Sequence, residues 1–317
     1  MVLLWLVCLF IKTIFLIVVK VAYSDRFVLP LPPEHRFPMI KYELVKEQLI
    51  HEGTIHESQV FDPGLCDIET ILQTHDKDYV YRFINMQLTE YEIRRIGFPM
   101  SELTVKRCMY SAEGTRKSAL NALEFGVGLN VAGGTHHAFR NKGEGFCMLN
   151  DIAIAANFLL NTGLSNKILV VDLDVHQGNG TAKIFENEPR VFTFSMHGAD
   201  NYPLKKESSD LDIALKSGTN DDLYLSLLQK TLPELINRVK PDFIFYQSGV
   251  DVLETDKMGK LSVTRTGCKQ RDEIVLGTCS HYQIPVAVSM GGGYSENIID
   301  IVEAHCNTFR VAQSIWG

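Results

Sequence analysis

The second half of this 317-residue chain alternates short apolar runs with segments of helical spacing, a pattern that few architectures accept. Ile168–Leu173, Val191–Ser195, Asp242–Gln247 and Pro285–Met290 read as buried strands. The segments Ile152–Leu160, Asp222–Val239, Val263–Tyr282 and Ser295–Val311 read as helices. Apolar runs this short suit strands rather than helices, and continuous apolarity marks strands covered on both faces. No repeats or low-complexity linkers interrupt the alternation. It predicts a single three-layer α/β/α domain with a mainly parallel central sheet. Upstream, a Pro-rich loop over Ser24–Pro38 precedes an amphipathic helix at Met39–Ile50. Pro63–Phe83 has helical spacing, and another helix is expected over Ser111–Phe125.

In parallel α/β sheets, ligands gather at the carboxyl ends of the strands. One such end is unusually rich. Ile168–Val171 runs directly into Asp172, Asp174 and His176, three potential metal ligands at alternate positions. Alternate side chains of an extended chain share a face, so these groups project together. Two carboxylates side by side at the end of an apolar strand are costly to bury unless a cation neutralises them. Asp251, in Ser-Gly-Val-Asp after the run Phe243–Tyr246, is the natural third ligand beside Asp174 and His176. Two carboxylates and one imidazole leave positions open for water and substrate, as a catalytic zinc site requires. Taken singly, each aspartate could equally cap a turn.

Two further clusters stand out. Gly133-Gly134-Thr135-His136-His137 carries a tandem histidine pair. It reads either as an ordinary hydrogen-bonded pair or, beside a metal, as a device that moves a proton from water to a leaving group. Gly291-Gly292-Gly293-Tyr294 lacks the Lys-Ser/Thr of a phosphate loop and the spacing of a dinucleotide fingerprint. A flexible glycine run there can carry the Tyr294 hydroxyl toward a developing oxyanion.

Together these residues resemble the zinc-dependent histone deacetylases, of the arginase–deacetylase fold, from about Ile17 to Gly317. The motifs are Gly-Gly-Thr-His136-His137-Ala, Gly145-Phe146-Cys147-x-x-Asn150, Asp172-Leu-Asp174-Val-His176-Gln-Gly-Asn-Gly, Ser-Gly-Val-Asp251 and Gly-Gly-Gly-Tyr294. Arg95-Ile-Gly-Phe-Pro and Asp-Val-His-Gln-Gly-Asn-Gly look most like the class IV group and its bacterial relatives, and Tyr79 fits the family's N-terminal region. The resemblance implies one Zn2+ per chain on Asp174, His176 and Asp251. It implies a catalytic pair His136 and His137, with His137 as general base and acid, and Tyr294 as the hydroxyl that polarises the acyl carbonyl. Gly145 and Phe146 match one wall of an acyl-lysine channel, with Tyr202 facing them. Asp172 and Ser195 match a structural monovalent-cation site, usually K+, and Arg36 matches the arginine of an internal channel behind the zinc.

The chain departs from the family's pattern at two places. Asn179 stands where some members have an aspartate supporting the second histidine, and a neutral amide lowers that imidazole's pKa. Gly97–Ser101 offers no aspartate near where many members grip the substrate backbone, so weak reading of peptide sequence is expected. The implied activity is removal of an acyl group, foremost acetyl, from the ε-amine of lysine in a protein or peptide. Removal of a long fatty acyl chain, or deacetylation of a small amine such as a polyamine, is the nearest alternative. An arginase-type two-metal site would want aspartates at Gly178 and Leu253, and a non-catalytic binding module would be expected to have lost a ligand, a histidine or Tyr294.

Composition narrows the setting. A formal charge of −7 gives no electrostatic footprint for nucleic acid, so no direct nucleic-acid binding is expected. Seven cysteines without a C-x-x-C pair exclude a disulfide framework and a structural zinc site. Packed, reduced thiols of a cytoplasmic protein are expected, with Cys147 set apart by its neighbours. Met1–Val19 is apolar except for Lys12 and Thr13, about the length of a membrane span. Its flanks fit a secretory signal poorly, and Ile17–Tyr23 reads as the domain's first core strand. Residues 1–16 are therefore read as a dispensable leader before a catalytic domain over 17–317, with membrane anchoring by residues 1–19 as the alternative.

Overall fold

The computed structural model describes residues 19–317. The expected first strand is present as Lys20–Ala22 (β1), whereas the leader lies outside the described residues. No helix among the described residues is long and apolar enough to cross a membrane. The remaining strands are Val60–Phe61 (β2), Val127–Asn130 (β3), Ile168–Asp172 (β4), Val191–Gly198 (β5), Leu211–Leu215 (β6), Phe243–Gln247 (β7) and Val286–Ser289 (β8). They form one sheet in the order β2-β1-β3-β8-β7-β4-β5-β6, parallel throughout.

The apolar runs are continuous because the central strands β4, β5, β7 and β8 each feed two cores. Leu169 and Val171 of β4 join Ile244 and Tyr246 of β7 in a core with the helices Lys41–His51, Asp221–Val239, Arg265–His281 and Ile298–Trp316. Ile168 and Val170 join Phe243, Phe245 and Ala287 in a second core. That core packs against the end of the helix Glu102–Phe125 and against the helices Asp151–Asn161 and Asn179–Phe185. The three-layer arrangement follows from this period-two partition.

The topology chooses where a site can form. From β4 the chain builds outward through β5 and β6, then returns to add β7 on the other side of β4. Loops leaving β4 and β7 therefore diverge, opening a crevice at their carboxyl ends. Asp174 and His176 follow β4, and Asp251 follows β7.

Element boundaries differ from expectation mainly where loops intrude. Pro63–Phe83 is not one helix but two, Ile68–Leu72 and Lys77–Ile84. Asp67 caps the first, and the break buries His75, whose ring bonds Phe139 O at 2.9 Å and Asn150 N at 3.0 Å. The helix expected from Ser111 starts at Glu102, where Ser101 caps it. Strand β3 was hidden by Gly128. A Cβ there would lie 1.9 Å from Ser118 O, so glycine is what lets the long helix lie against the sheet.

Candidate active site

Asp174, His176 and Asp251 converge at the crevice floor, with one donor atom from each lying within 4.8 Å of the others. All three are buried. His176 Nδ1 lies 3.0 Å from Asp174 Oδ1 and 3.1 Å from Asp251 Oδ2, so one ring nitrogen faces two carboxylate oxygens. A single proton cannot serve both acceptors, whereas a cation at their centre can be bound by all three groups. Burial alone would push His176 down, but its bonds to the two carboxylates outweigh that and raise it to about 10. The site thus calls for positive charge. The remaining carboxylate lone pairs are tied to backbone: Asp251 Oδ1 accepts from Val175 N at 2.9 Å, and Asp174 Oδ2 from Gly292 N at 2.8 Å. Zinc suits this donor set.

Gly292 is there for close approach, not flexibility. A Cβ at that position would lie 1.9 Å from Asp251 Oδ2. The glycine run therefore cradles the carboxylates, and Tyr294 is aimed by a separate device. Its backbone N–H donates to Asp256 Oδ2 at 2.6 Å, and Asp256 also binds Met258 N and Gly259 N at 2.8 Å. The Tyr294 ring stands 6.3 Å from that of His176 and 5.8 Å from that of Phe37, edge to face with each. Burial and the nearby Asp251 and Asp174 raise its phenol well above the ordinary range, so it remains a proton donor.

The two histidine rings lie 4.1 Å apart and are wired differently. His136 Nδ1 meets Asp172 Oδ2 at 2.7 Å. Burial opposes charge on His136, but Asp172 and Asp174 prevail and raise its pKa. His137 Nδ1 meets Asn179 Oδ1 at 2.6 Å, while Asn179 Nδ2 donates to Glu144 Oε1 at 2.9 Å. That second bond fixes the amide's orientation, so Nδ1 of His137 must carry the proton and Nε2 the free lone pair. Burial, then the charges of His136 and His176, hold His137 well below the ordinary imidazole range. The two rings are therefore pushed in opposite directions, His136 toward its charged form and His137 toward its neutral one.

Residues outside the recognised motifs hold this pair in place. The Asp151 carboxylate accepts from Gly134 N at 3.0 Å, Thr135 N at 2.7 Å, Thr135 Oγ1 at 2.5 Å and Thr115 Oγ1 at 2.5 Å. It fastens the loop that presents both histidines. Its only sequence signal is its place directly after Asn150. Glu144 is buried against Asn179 and bonded by Arg95. Burial opposes its charge, but Arg95 and Asn179 keep its carboxyl below the usual range.

Above the floor, Gly145, Phe146 and Tyr202 line the opening. Phe146 sits at φ +65°, where a bulky side chain is strained, held by its N–H to Ile96 O at 2.7 Å. Tyr202 meets the His137 ring edge to face at 4.9 Å. This passage widens into a mouth of about 440 Å³. An inner cavity of about 30 Å³ adjoins Asp174, His176 and Tyr294 and extends to Arg107. Arg36, expected behind the metal, is instead exposed on the outer rim, because its loop turns Phe37 inward and leaves the guanidinium outside. The guanidinium at the inner cavity is that of Arg107, bonded to Phe27 O at 2.9 Å and Tyr42 Oη at 3.1 Å. Lys41, fully buried nearby, donates to Gly291 O at 3.1 Å, and burial pushes it down to about 8 against the pull of Asp251 and Asp174.

Asp172 and Ser195 face each other in register on β4 and β5, both buried, where the resemblance implies a monovalent cation. Cys147 lies at the inner cavity, where burial raises its thiol well above the ordinary range and keeps it protonated. The six described cysteines are all buried and unpaired.

Residues 35–309 match the model of the histone deacetylase domain. An uncharacterized protein of Picosynechococcus sp. is 46% identical over 296 residues, covering 93% of this chain and 99% of that protein. Histone deacetylase 2 of Arabidopsis thaliana is 28% identical over 218 residues, and Histone deacetylase 1 of Homo sapiens 26% over 280. The matched regions span 56% of each of these two relatives. Among solved structures, the HDA15 HD domain is similar with a TM-score of 0.78, covering 92% of this chain and 90% of that one at 20% identity, a likeness of fold.

Proposed function

Given that the chain belongs to the histone deacetylase family, we propose that it is a zinc-dependent amidohydrolase that removes an acetyl group from the ε-amine of lysine in a protein or peptide. The observation that carries this reading is the convergence of Asp174, His176 and Asp251 beneath a neutral His137 and a protonated Tyr294. These three residues would hold one zinc ion, which when bound supplies Lewis-acid polarisation of water and of the substrate carbonyl.

The chain's own groups then divide the work. His137 Nε2 takes the proton from water, since Nδ1 is committed to Asn179. The same nitrogen returns it to the departing amine. Tyr294 donates its hydroxyl hydrogen bond to the carbonyl oxygen as that atom gains charge. His136 is paired with Asp172 at 2.7 Å, which favours its charged form, and charge there favours the neutral form of His137. Asp172 and Ser195, in register on neighbouring strands, would contribute to a structural K+ site.

The inner cavity supports a short acyl group. About 30 Å³ holds about two waters, less room than a fatty chain needs. The experiment is turnover of matched acetyl-, butyryl- and myristoyl-lysine peptides, and of an acetylated polyamine, by the full chain loaded with one equivalent of zinc. Acetyl-lysine should have the highest kcat/KM. A higher value for myristoyl-lysine or for the polyamine would overturn the assignment in favour of that substrate.

A further inference from the structure

We infer that the channel mouth is built to take acyl-lysines set among acidic residues: the cationic rim formed by Arg36, Arg94 and Lys260 recognises carboxylates flanking the acylated side chain. The inference rests on the deacylase reading and extends it to the sequence context of the substrate.

The chain carries a net charge of −7, yet four basic residues and a single acid, Asp200, line its mouth. One of the four is occupied, since Arg95 is bonded to the buried Glu144. The others are available. Arg36 is exposed and enters no ion pair among the described residues. Arg94 lies 3.4 Å from Glu90, but both side chains are more than two-thirds in solvent, where such a pair is worth little. Lys260 Nζ donates to the backbone oxygen of Asp200 at 2.9 Å and enters no ion pair among the described residues, while Asp200 Oδ2 accepts from Ser217 Oγ at 2.9 Å. Arg94 stands in the last turn of the helix Glu90–Ile96, where a cation also suits the helix dipole. That accounts for Arg94 alone. Arg36 and Lys260 come from separate loops and reach the same opening.

A positive ring around the entrance attracts anionic groups to either side of the inserted lysine and repels a polycation. Acetylated polyamines are therefore disfavoured on charge. Three free charges around one opening make no track for a phosphate backbone, and the acidic remainder of the surface repels a long polyanion. Carboxylates of an acidic peptide fit both facts.

The test uses end-blocked acetyl-lysine peptides with Asp/Glu, Ala/Ser or Lys/Arg flanks, and the zinc-loaded full chain. The acidic peptide should exceed the basic one by about tenfold in kcat/KM at low salt, with the gap shrinking several-fold at 0.5 M NaCl. Arg36→Glu combined with Arg94→Glu should invert the ratio, and Lys260→Glu should reduce it; the ratio is read within each variant, so a change in overall activity does not obscure it. Fluorescence anisotropy of the same peptides reads the rim even where turnover fails, with the same ordering expected. Equal binding and turnover across the three peptides would overturn the inference while leaving the deacylase reading intact. Ordered binding with no turnover of any peptide would sink the deacylase reading and uphold the rim. Tighter binding of a single-stranded oligonucleotide than of the acidic peptide would also overturn it.

Discussion

The floor of the crevice and its mouth are built on opposite principles. At the floor, Asp174, His176, Asp251, His136 and His137 are buried, and their oxygens and nitrogens are shared with backbone amides, Asn179 and Asp172. These residues lie on short connections from parallel strands whose positions the two cores dictate. At the mouth, Arg36, Arg94, Tyr202, Leu204 and Lys260 come from loops and a helix end, exposed and loosely paired. Chemistry needs donors held to fractions of an ångström, and only packed secondary structure supplies that. Selection among partners needs a surface that can vary without unfolding the domain, which loops supply.

Substitutions at the floor should therefore be severe and those at the mouth mild. Asp251→Ala should have the largest effect. Two remaining ligands do not complete the site, so zinc content and turnover should fall together to background, checked by metal analysis beside an activity assay. Retention of one tightly bound zinc would break the ligand assignment. Tyr294→Phe should come next, lowering kcat by about 100–1,000-fold with KM little changed, because the hydroxyl acts where charge develops. Zinc content should stay at one per chain.

Beneath the floor, Arg271 and Asp272 form a fully buried pair. Arg271 also bonds Ser248 O at 3.3 Å, and Asp272 accepts from Tyr246 Oη at 2.5 Å and Thr308 Oγ1 at 2.7 Å. Arg271→Leu leaves a buried carboxylate without its cation. It should destabilise the fold by about 3–5 kcal/mol, read from the denaturant midpoint. A change under 1 kcal/mol would show that the floor is less rigidly tied than its hydrogen bonds suggest.

Asn179→Asp sharpens the comparison at the boundary between the two regions. The proposed mechanism requires the neutral form of His137, whose pKa is depressed, so activity should persist at pH values below the ordinary imidazole range. A carboxylate at 179 favours the imidazolium and raises that pKa. The neutral form is then lost at higher pH, and the acid limb of kcat/KM should move upward. An unmoved limb would remove His137 from the role of base. The smallest effect belongs to Leu204, 94% exposed at the mouth. Leu204→Ala should change stability by no more than about 0.5 kcal/mol in thermal or denaturant unfolding, as for other unpacked surface positions.

Much of the floor was legible in the chain because its determinants are local. Alternate spacing brings Asp172, Asp174 and His176 off one strand, and short apolar runs announce strands buried on both faces. The all-parallel order and the switch point between β4 and β7 come from which strands pair, and no local pattern encodes that. The same holds for the parts that tune the site. Asp151 and Glu144 are unremarkable acids in sequence, and each acquires its role only when a distant loop folds over it. Arg36 shows the limit from the other side. Its neighbourhood matches a buried channel, yet the turn that buries Phe37 leaves it in solvent, where Arg107 from a helix 71 positions later takes the inner place. Residue type and spacing along the chain determined which groups can bind a metal and move a proton. Which of the remaining charges face inward and which face solvent was decided by packing, because burial and pairing depend on neighbours that the chain brings together only on folding.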